Sequence, residues 1–149
     1  ARMSVEIVVP QSAGELDQVR ALIRAFVAWH RERHESDRDL IDRYFDAAEF
    51  ERELAGLPGK YGPPGGQLLL AKRDGEPAGC VALRALAPGI CEMKRMYVDE
   101  HFRGQGVGAA LSERVLAEAR ALGYHAMQLD TSIRQAEALG LYGSATKTA

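Results

Sequence analysis

The stretch Cys91-Glu-Met-Lys-Arg-Met-Tyr-Val-Asp-Glu-His-Phe-Arg-Gly-Gln-Gly-Val-Gly-Ala-Ala110 decides the fold. Its first half carries β-branched, aromatic and Met side chains and reads as a strand. Its second half is a turn in which Gly104, Gly106 and Gly108 fall on alternate residues. An amphipathic helix follows, with Val107, Leu111, Val115, Ala119 and Leu122 along one side, and Gly123 ends it. A strand, a turn of closely spaced N–H groups and a helix N-terminus together make a cradle for phosphate. Orphan donors and the positive end of the helix dipole converge there. The alternating glycines leave no Cβ between such a ligand and the main chain.

Upstream, residues 68–72 form a strand, Asp74-Gly75 is a hairpin turn, residues 79–86 return, and Pro88-Gly89 turns the chain into the strand over 90–98. A two-residue loop at Pro88-Gly89 sets Cys80 against Tyr97 and not against Cys91, which argues against a disulfide between the two cysteines. Further back, the Pro/Gly-rich run over 56–66 reads as a connector, with a flap over a site as the lesser reading. A helix is expected over 39–54, with Leu40, Tyr44, Phe45, Phe50 and Leu54 as its apolar members. The charged run over 31–39 reads as a solvated helix end. Before it, Ser12-Ala-Gly-Glu15 has capping-box spacing ahead of Leu16, Val19, Ile23, Phe26, Val27 and His30 at helical intervals. The run Val5 to Val9, closed by Pro10, is a first strand. Downstream, residues 126–130 form another strand, and Thr131 or Ser132 caps a last helix through Ile133, Ala136, Leu139 and Tyr142. The order predicts one mixed α/β domain over residues 1–149, an antiparallel meander followed by a single βαβ crossover.

Bulk properties bound the function. A net charge of -2 gives no basic field for nucleic acid. No apolar run approaches the roughly 20 residues that cross a bilayer. Ala1-Arg2 ahead of Met3 reads as a vector remnant, and the N-terminus lacks the apolar core of a signal peptide. Two cysteines make no disulfide framework, so a cytoplasmic setting is the expectation. The four histidines show no metal-ligand spacing, and no metal is expected.

The glycines admit several readings. A Walker loop is excluded, because Ala109-Ala110 stand where Lys and Ser or Thr belong. A dinucleotide fingerprint fits Gly104-Gln-Gly106-Val-Gly-Ala109, with Asp130 as ribose acid, but Asp99-Glu-His-Phe-Arg103 separates the glycines from the strand. A plain strand-to-helix turn is the third reading. The wider pattern, Val98-x-x-x-x-Arg103-Gly104-x-Gly106-x-Gly108 between strand and helix, closely resembles the acetyl-CoA motif of the GNAT superfamily of N-acetyltransferases. Arg103, Gly106 and Gly108 match its Gln/Arg-x-x-Gly-x-Gly/Ala core, Leu141-Tyr142 resembles its second recurrent element, and the element order from Val5 to Tyr142 follows the family.

The resemblance implies an enzyme that moves an acetyl group from acetyl-CoA to a primary amine of a small molecule or protein, by direct attack in a ternary complex. It implies that the CoA pyrophosphate lies on the N–H groups of Arg103, Gly104, Gln105, Gly106, Val107 and Gly108. It implies further that the main chain of Met96, Tyr97 and Val98 pairs with pantetheine, on a strand splayed from its neighbour. Glu92 stands where several relatives carry the general base, and Tyr142 matches the tyrosine that protonates the leaving thiolate. Strict alternation puts Glu92, Lys94, Met96 and Val98 on one face; a polar residue on a solvated strand face stays open beside the catalytic reading of Glu92. Trp29, His30, His34, Tyr44, Phe45 and Tyr61 lie in segments that line the acceptor side in relatives. One departure stands out: Tyr142 is followed by Gly-Ser-Ala-Thr-Lys-Thr-Ala149, without the family's Gly-Phe turn and closing pair of strands. The usual C-terminal hairpin is therefore expected to be missing and residues 126–130 to be an open edge. A shortened product, completion by another subunit in a homodimer, and a divergent end are three accounts of it. The alternative function that follows is a CoA-binding or dimerising module without transfer activity.

Overall fold

The meander expected over residues 68–98 sits at the heart of a sheet whose strands, seven among the described residues, lie in chain order. The structure, a computed structural model, describes residues 5–33, 47–132, 135–140 and 145–146. Strand β1 (Val5–Val8) pairs antiparallel with β2 (Gln67–Arg73), β2 with β3 (Glu76–Ala87), and β3 with β4 (Ile90–Val98). Both hairpin turns fall where the sequence puts them: Arg73 faces Glu76 across Asp74-Gly75, and Ala87 faces Ile90 across Pro88-Gly89. Helix α3 (Val107–Ala121) then crosses over to β5 (Ala126–Ser132), which runs parallel to β4. The fold class is the expected mixed α/β arrangement.

Two cores, one on each face, hold the sheet. Helix α3 lays Val107, Leu111, Val115 and Ala119 against Leu69, Val81, Leu83 and Cys91. Helices α1 (Ala13–Arg33) and α2 (Ala47–Ala55) cover the other face, where Val19, Leu22, Ile23, Phe50 and Leu54 meet Leu68, Leu70, Cys80, Ala82 and Tyr97. Helix α1 starts as its spacing predicts, with the Ser12 hydroxyl accepting from Glu15 N at 3.1 Å. The connector over 56–66 is packed, since Leu57 and Tyr61 are buried in the α1-side core. Cys80 faces Tyr97 as expected, and the two cysteines lie in opposite cores, both free.

The final helix expected through Tyr142 is corrected. Residues Gln135–Gly140 are instead strand β6, antiparallel to β5, and Ala145–Thr146 is a short β7 beside it. Strand β5 is therefore no open edge, because β4 and β6 flank it. Ile133, Ala136, Leu139 and Tyr142 recur every three residues, but Ala136, Ala138 and Gly140 also alternate, and a run this short satisfies either period. The unpaired N–H and C=O groups of β5 decide between them.

Candidate functional site

Strand β4 is irregular where it matters. Its ladder with β3 pairs Arg84 with Glu92, Leu83 with Met93 and Ala82 with Lys94, then resumes at Cys80 with Tyr97 and Gly79 with Val98. Between the two runs Val81 alone opposes both Arg95 and Met96, which is a β-bulge. Arg95 adopts φ 59°, a left-handed conformation that costs an ordinary residue about 1–2 kcal/mol. The bulge also corrects the expected alternation. Met96 and Val98 pack toward the α3-side core with Met93, while Tyr97 is buried on the α1 side. Glu92 and Lys94 stand opposite Arg84 and Ala82, hence on the α1 side and not with Met96 and Val98.

The Arg95 side chain is held on that α1 side. Its Nε and Nη2 donate to the two carboxylate oxygens of Glu53 on α2, at 3.1 and 3.3 Å, and its guanidinium lies 5.5 Å from the Phe50 ring centre. Glu53 also accepts from the Tyr61 hydroxyl at 2.9 Å and pairs with Lys60 at 3.2 Å. Burial alone would push the Glu53 carboxyl up, but the Arg95 charge and the hydrogen bonds from Arg95, Tyr61 and Lys60 hold it below the usual value. Burial raises the Tyr61 hydroxyl, and the Glu53 charge adds to the effect against the opposing pull of Arg95.

Just past this point β4 and β5 part company. Their parallel pairing runs from Ile90 with Ala126 to Met93 with Leu129 and stops there. Among the described residues, the β5-facing edge of β4 beyond Met93 has no strand against it. Main-chain groups beyond Lys94 on that edge therefore face a ligand lying in the gap. The splay expected on this strand is present.

The glycine turn closes the end of the gap. Asp99 accepts from His101 N at 2.9 Å and from the His101 ring at 2.8 Å, starting a turn of 3₁₀ helix over Glu100–Phe102. Gly104 and Gly106 have φ 76° and 85°, which L side chains rarely adopt, and a Cβ built on either would meet nothing within 4 Å. The outer surface of the turn is open. Gly108 differs, being helical, with a built Cβ in ordinary contact with Val98 at 3.5 Å. The first bond of α3 runs from Ala110 N to Gly106 O at 3.0 Å. Among the described residues, no backbone hydrogen bond outside helices and strands uses an N–H between Gly104 and Ala109 as donor. Arg103 lies with its guanidinium 4.8 Å from the Trp29 ring centre and its Nε donating to Val98 O at 3.2 Å. Arg73 reaches across from β2 and donates to Gln105 O at 3.1 Å.

The structure thus brings Met96, Tyr97, Val98, Arg103, Gly104, Gln105, Gly106, Val107 and Gly108 together along one gap and turn. The side chain of Tyr97 is committed to the core, tilted against Phe26 with ring centres 5.7 Å apart. Glu92 is 9% exposed, with Oε1 3.1 Å from Arg84 Nε. Tyr142, with His34, Tyr44 and Phe45, lies outside the described residues. Sequence reasoning missed Arg95, Glu53 and Arg73. A bulge leaves no mark in this sequence, and Glu53 is 42 residues from the arginine it holds.

Comparison with known proteins bears on this geometry. Residues 23–145 match the family described as Acetyltransferase (GNAT) family. An uncharacterised N-acetyltransferase of Schizosaccharomyces pombe is 43% identical over 94 residues, covering 62% of this chain and 58% of that protein. An IAA acetyltransferase of Azospirillum brasilense is 37% identical over 109 residues, covering 72% of this chain and 69% of that one. The crystal structure of the PaiA N-acetyltransferase of Thermoplasma acidophilum, in complex with coenzyme A, superposes with a TM-score of 0.58 at 18% identity, covering 85% of this chain and 78% of that one.

Proposed function

Because the chain belongs to the GNAT acetyltransferase family, we propose that it transfers an acetyl group from acetyl-CoA to a primary amine. The observation that carries the reading is the gap itself: β4 leaves β5 after Met93, and a turn with unspent N–H groups closes its end. Acetyl-CoA has a strand-like pantetheine arm and a pyrophosphate, and the two features suit those two parts. The bare N–H groups between Gly104 and Ala109, at the positive end of α3, suit the anion, and the open surface over Gly104 and Gly106 lets it approach the main chain. Arg103 adds charge beside them.

Acetyl-CoA supplies the thioester, whose carbonyl carbon is the electrophile. The amine nitrogen attacks that carbon in its neutral form, the C–N bond forms and the C–S bond breaks. The proton lost by nitrogen passes to Glu92, directly or through water, and the departing sulfur takes one from Tyr142, leaving an N-acetyl amide and CoA. A main-chain N–H of the β4 bulge, fixed before reaction, polarises the carbonyl as negative charge builds on its oxygen. Calorimetry with acetyl-CoA tests the first requirement, and no heat of binding up to high micromolar concentration would sink it. Thiol release from acetyl-CoA across a panel of amines then tests transfer.

A further inference from the structure

The clamp on Arg95 does something the acetyl-transfer reading does not by itself require. We propose that Glu53 and Arg95 are positioning residues, whose pairing fixes the β4 bulge so that its main chain meets the thioester carbonyl. The inference rests on the acetyl-transfer reading above. Three observations carry it.

First, the position is an expensive one for its occupant. Glycine serves a φ of 59° at least cost, and the other non-glycine residue with positive φ among the described residues is Asp74, in a hairpin turn that suits it. Arginine at Arg95 is explained by what its side chain reaches. Second, the reach is over-determined. Both Glu53 oxygens accept from the guanidinium, Phe50 lies beneath it, and the Arg95 carbonyl accepts from Cys80 Sγ at 3.4 Å. A strained residue persists only where its surroundings hold it from several sides. Third, the clamp sits at the point where the β3 ladder is interrupted and β5 has already departed. A main chain without neighbouring ladders would otherwise relax, and a donor that relaxes loses most of its value to a developing oxyanion. A buried ion pair is weak support for stability by itself, since apolar side chains of similar volume serve a core as well. The clamp comes from α2, so the helix on the α1 side sets the geometry of the strand edge facing the gap.

Isotope-edited infrared spectroscopy of acetyl-CoA bound to the full chain reads the thioester carbonyl directly and needs no acceptor. The proposal requires the bound band to lie below that of free acetyl-CoA in the wild type. Most of that displacement should vanish in Glu53→Gln and in Arg95→Lys when each is measured at saturating acetyl-CoA. Arg95→Lys keeps the cation and loses the two-pronged contact, so it still reports if Glu53→Gln fails to fold. A pair that only holds the fold together lowers the melting temperature of both variants without moving the band, and that result overturns the proposal. So does an undisplaced band in the wild type, or loss of folding in both variants. Failure of the wild-type chain to bind acetyl-CoA is a separate result, which removes the acetyl-transfer reading and takes this inference with it.

Discussion

Gly104, Gly106 and Gly108 look alike in the sequence and do different jobs in the structure. The first two hold positive φ in the turn, whereas Gly108 is an ordinary residue of the first turn of α3. Gly106→Ala is therefore expected to cost about 1–2 kcal/mol of stability from left-handed strain, and to weaken acetyl-CoA binding as the turn distorts. Gly108→Ala should instead stabilise by up to about 1 kcal/mol, because alanine replaces glycine in a helix. Thermal unfolding of the two variants, with calorimetry on acetyl-CoA, separates the roles. Tyr142 follows Leu141 as in the second recurrent element of the family. Tyr142→Phe should slow turnover and leave CoA affinity in place, and an unchanged rate in a thiol-release assay removes it from the mechanism. At this scale the sequence showed which residues mark the turn, because glycine spacing is local. Arg95 was not legible, because its conformation comes from a misfit between two strands.

Among the elements, β4 and α2 meet through one carboxylate, and its protonation should be visible in stability. The folded-state pKa of Glu53 lies below 4.5, so its contribution is complete above the unfolded value and is lost as pH falls through the lowered one. His101 has the opposite sign. The hydrogen bond to Asp99 and that residue's charge raise its pKa above 6.5, so its contribution is complete below 6.5 and is lost as pH rises through the raised value. Melting temperatures across pH should show the acid limb flattened in Glu53→Gln and the limb above 6.5 flattened in His101→Gln. The meander, the crossover and the start of α1 were all legible, since each rests on turn chemistry, a cap or a sustained period. Strand β6 was not, because six residues carry too few periods to tell helix from strand.

For the whole molecule, the sheet divides two cores and each takes one cysteine. Burial pushes the Cys80 thiol up to about 12 and the Cys91 thiol up to about 11, so neither forms thiolate at neutral pH. A small disulfide reagent should leave both untouched in the native chain and titrate both in denaturant; rapid native reaction would place one of them at a surface. The sequence by itself determined the order of strands and helices as far as β5, the pairing of Cys80 with Tyr97, and the turn from Arg103 to Gly108. All of these follow from interactions between residues near one another in the chain. Only the tertiary structure decided that β4 bulges at Arg95, that Glu92 shares a face with Tyr97, that β4 and β5 separate beyond Met93, and that β5 is covered by β6. Those outcomes are set by ladders and ion pairs between distant segments, where backbone groups seek partners that no local pattern specifies.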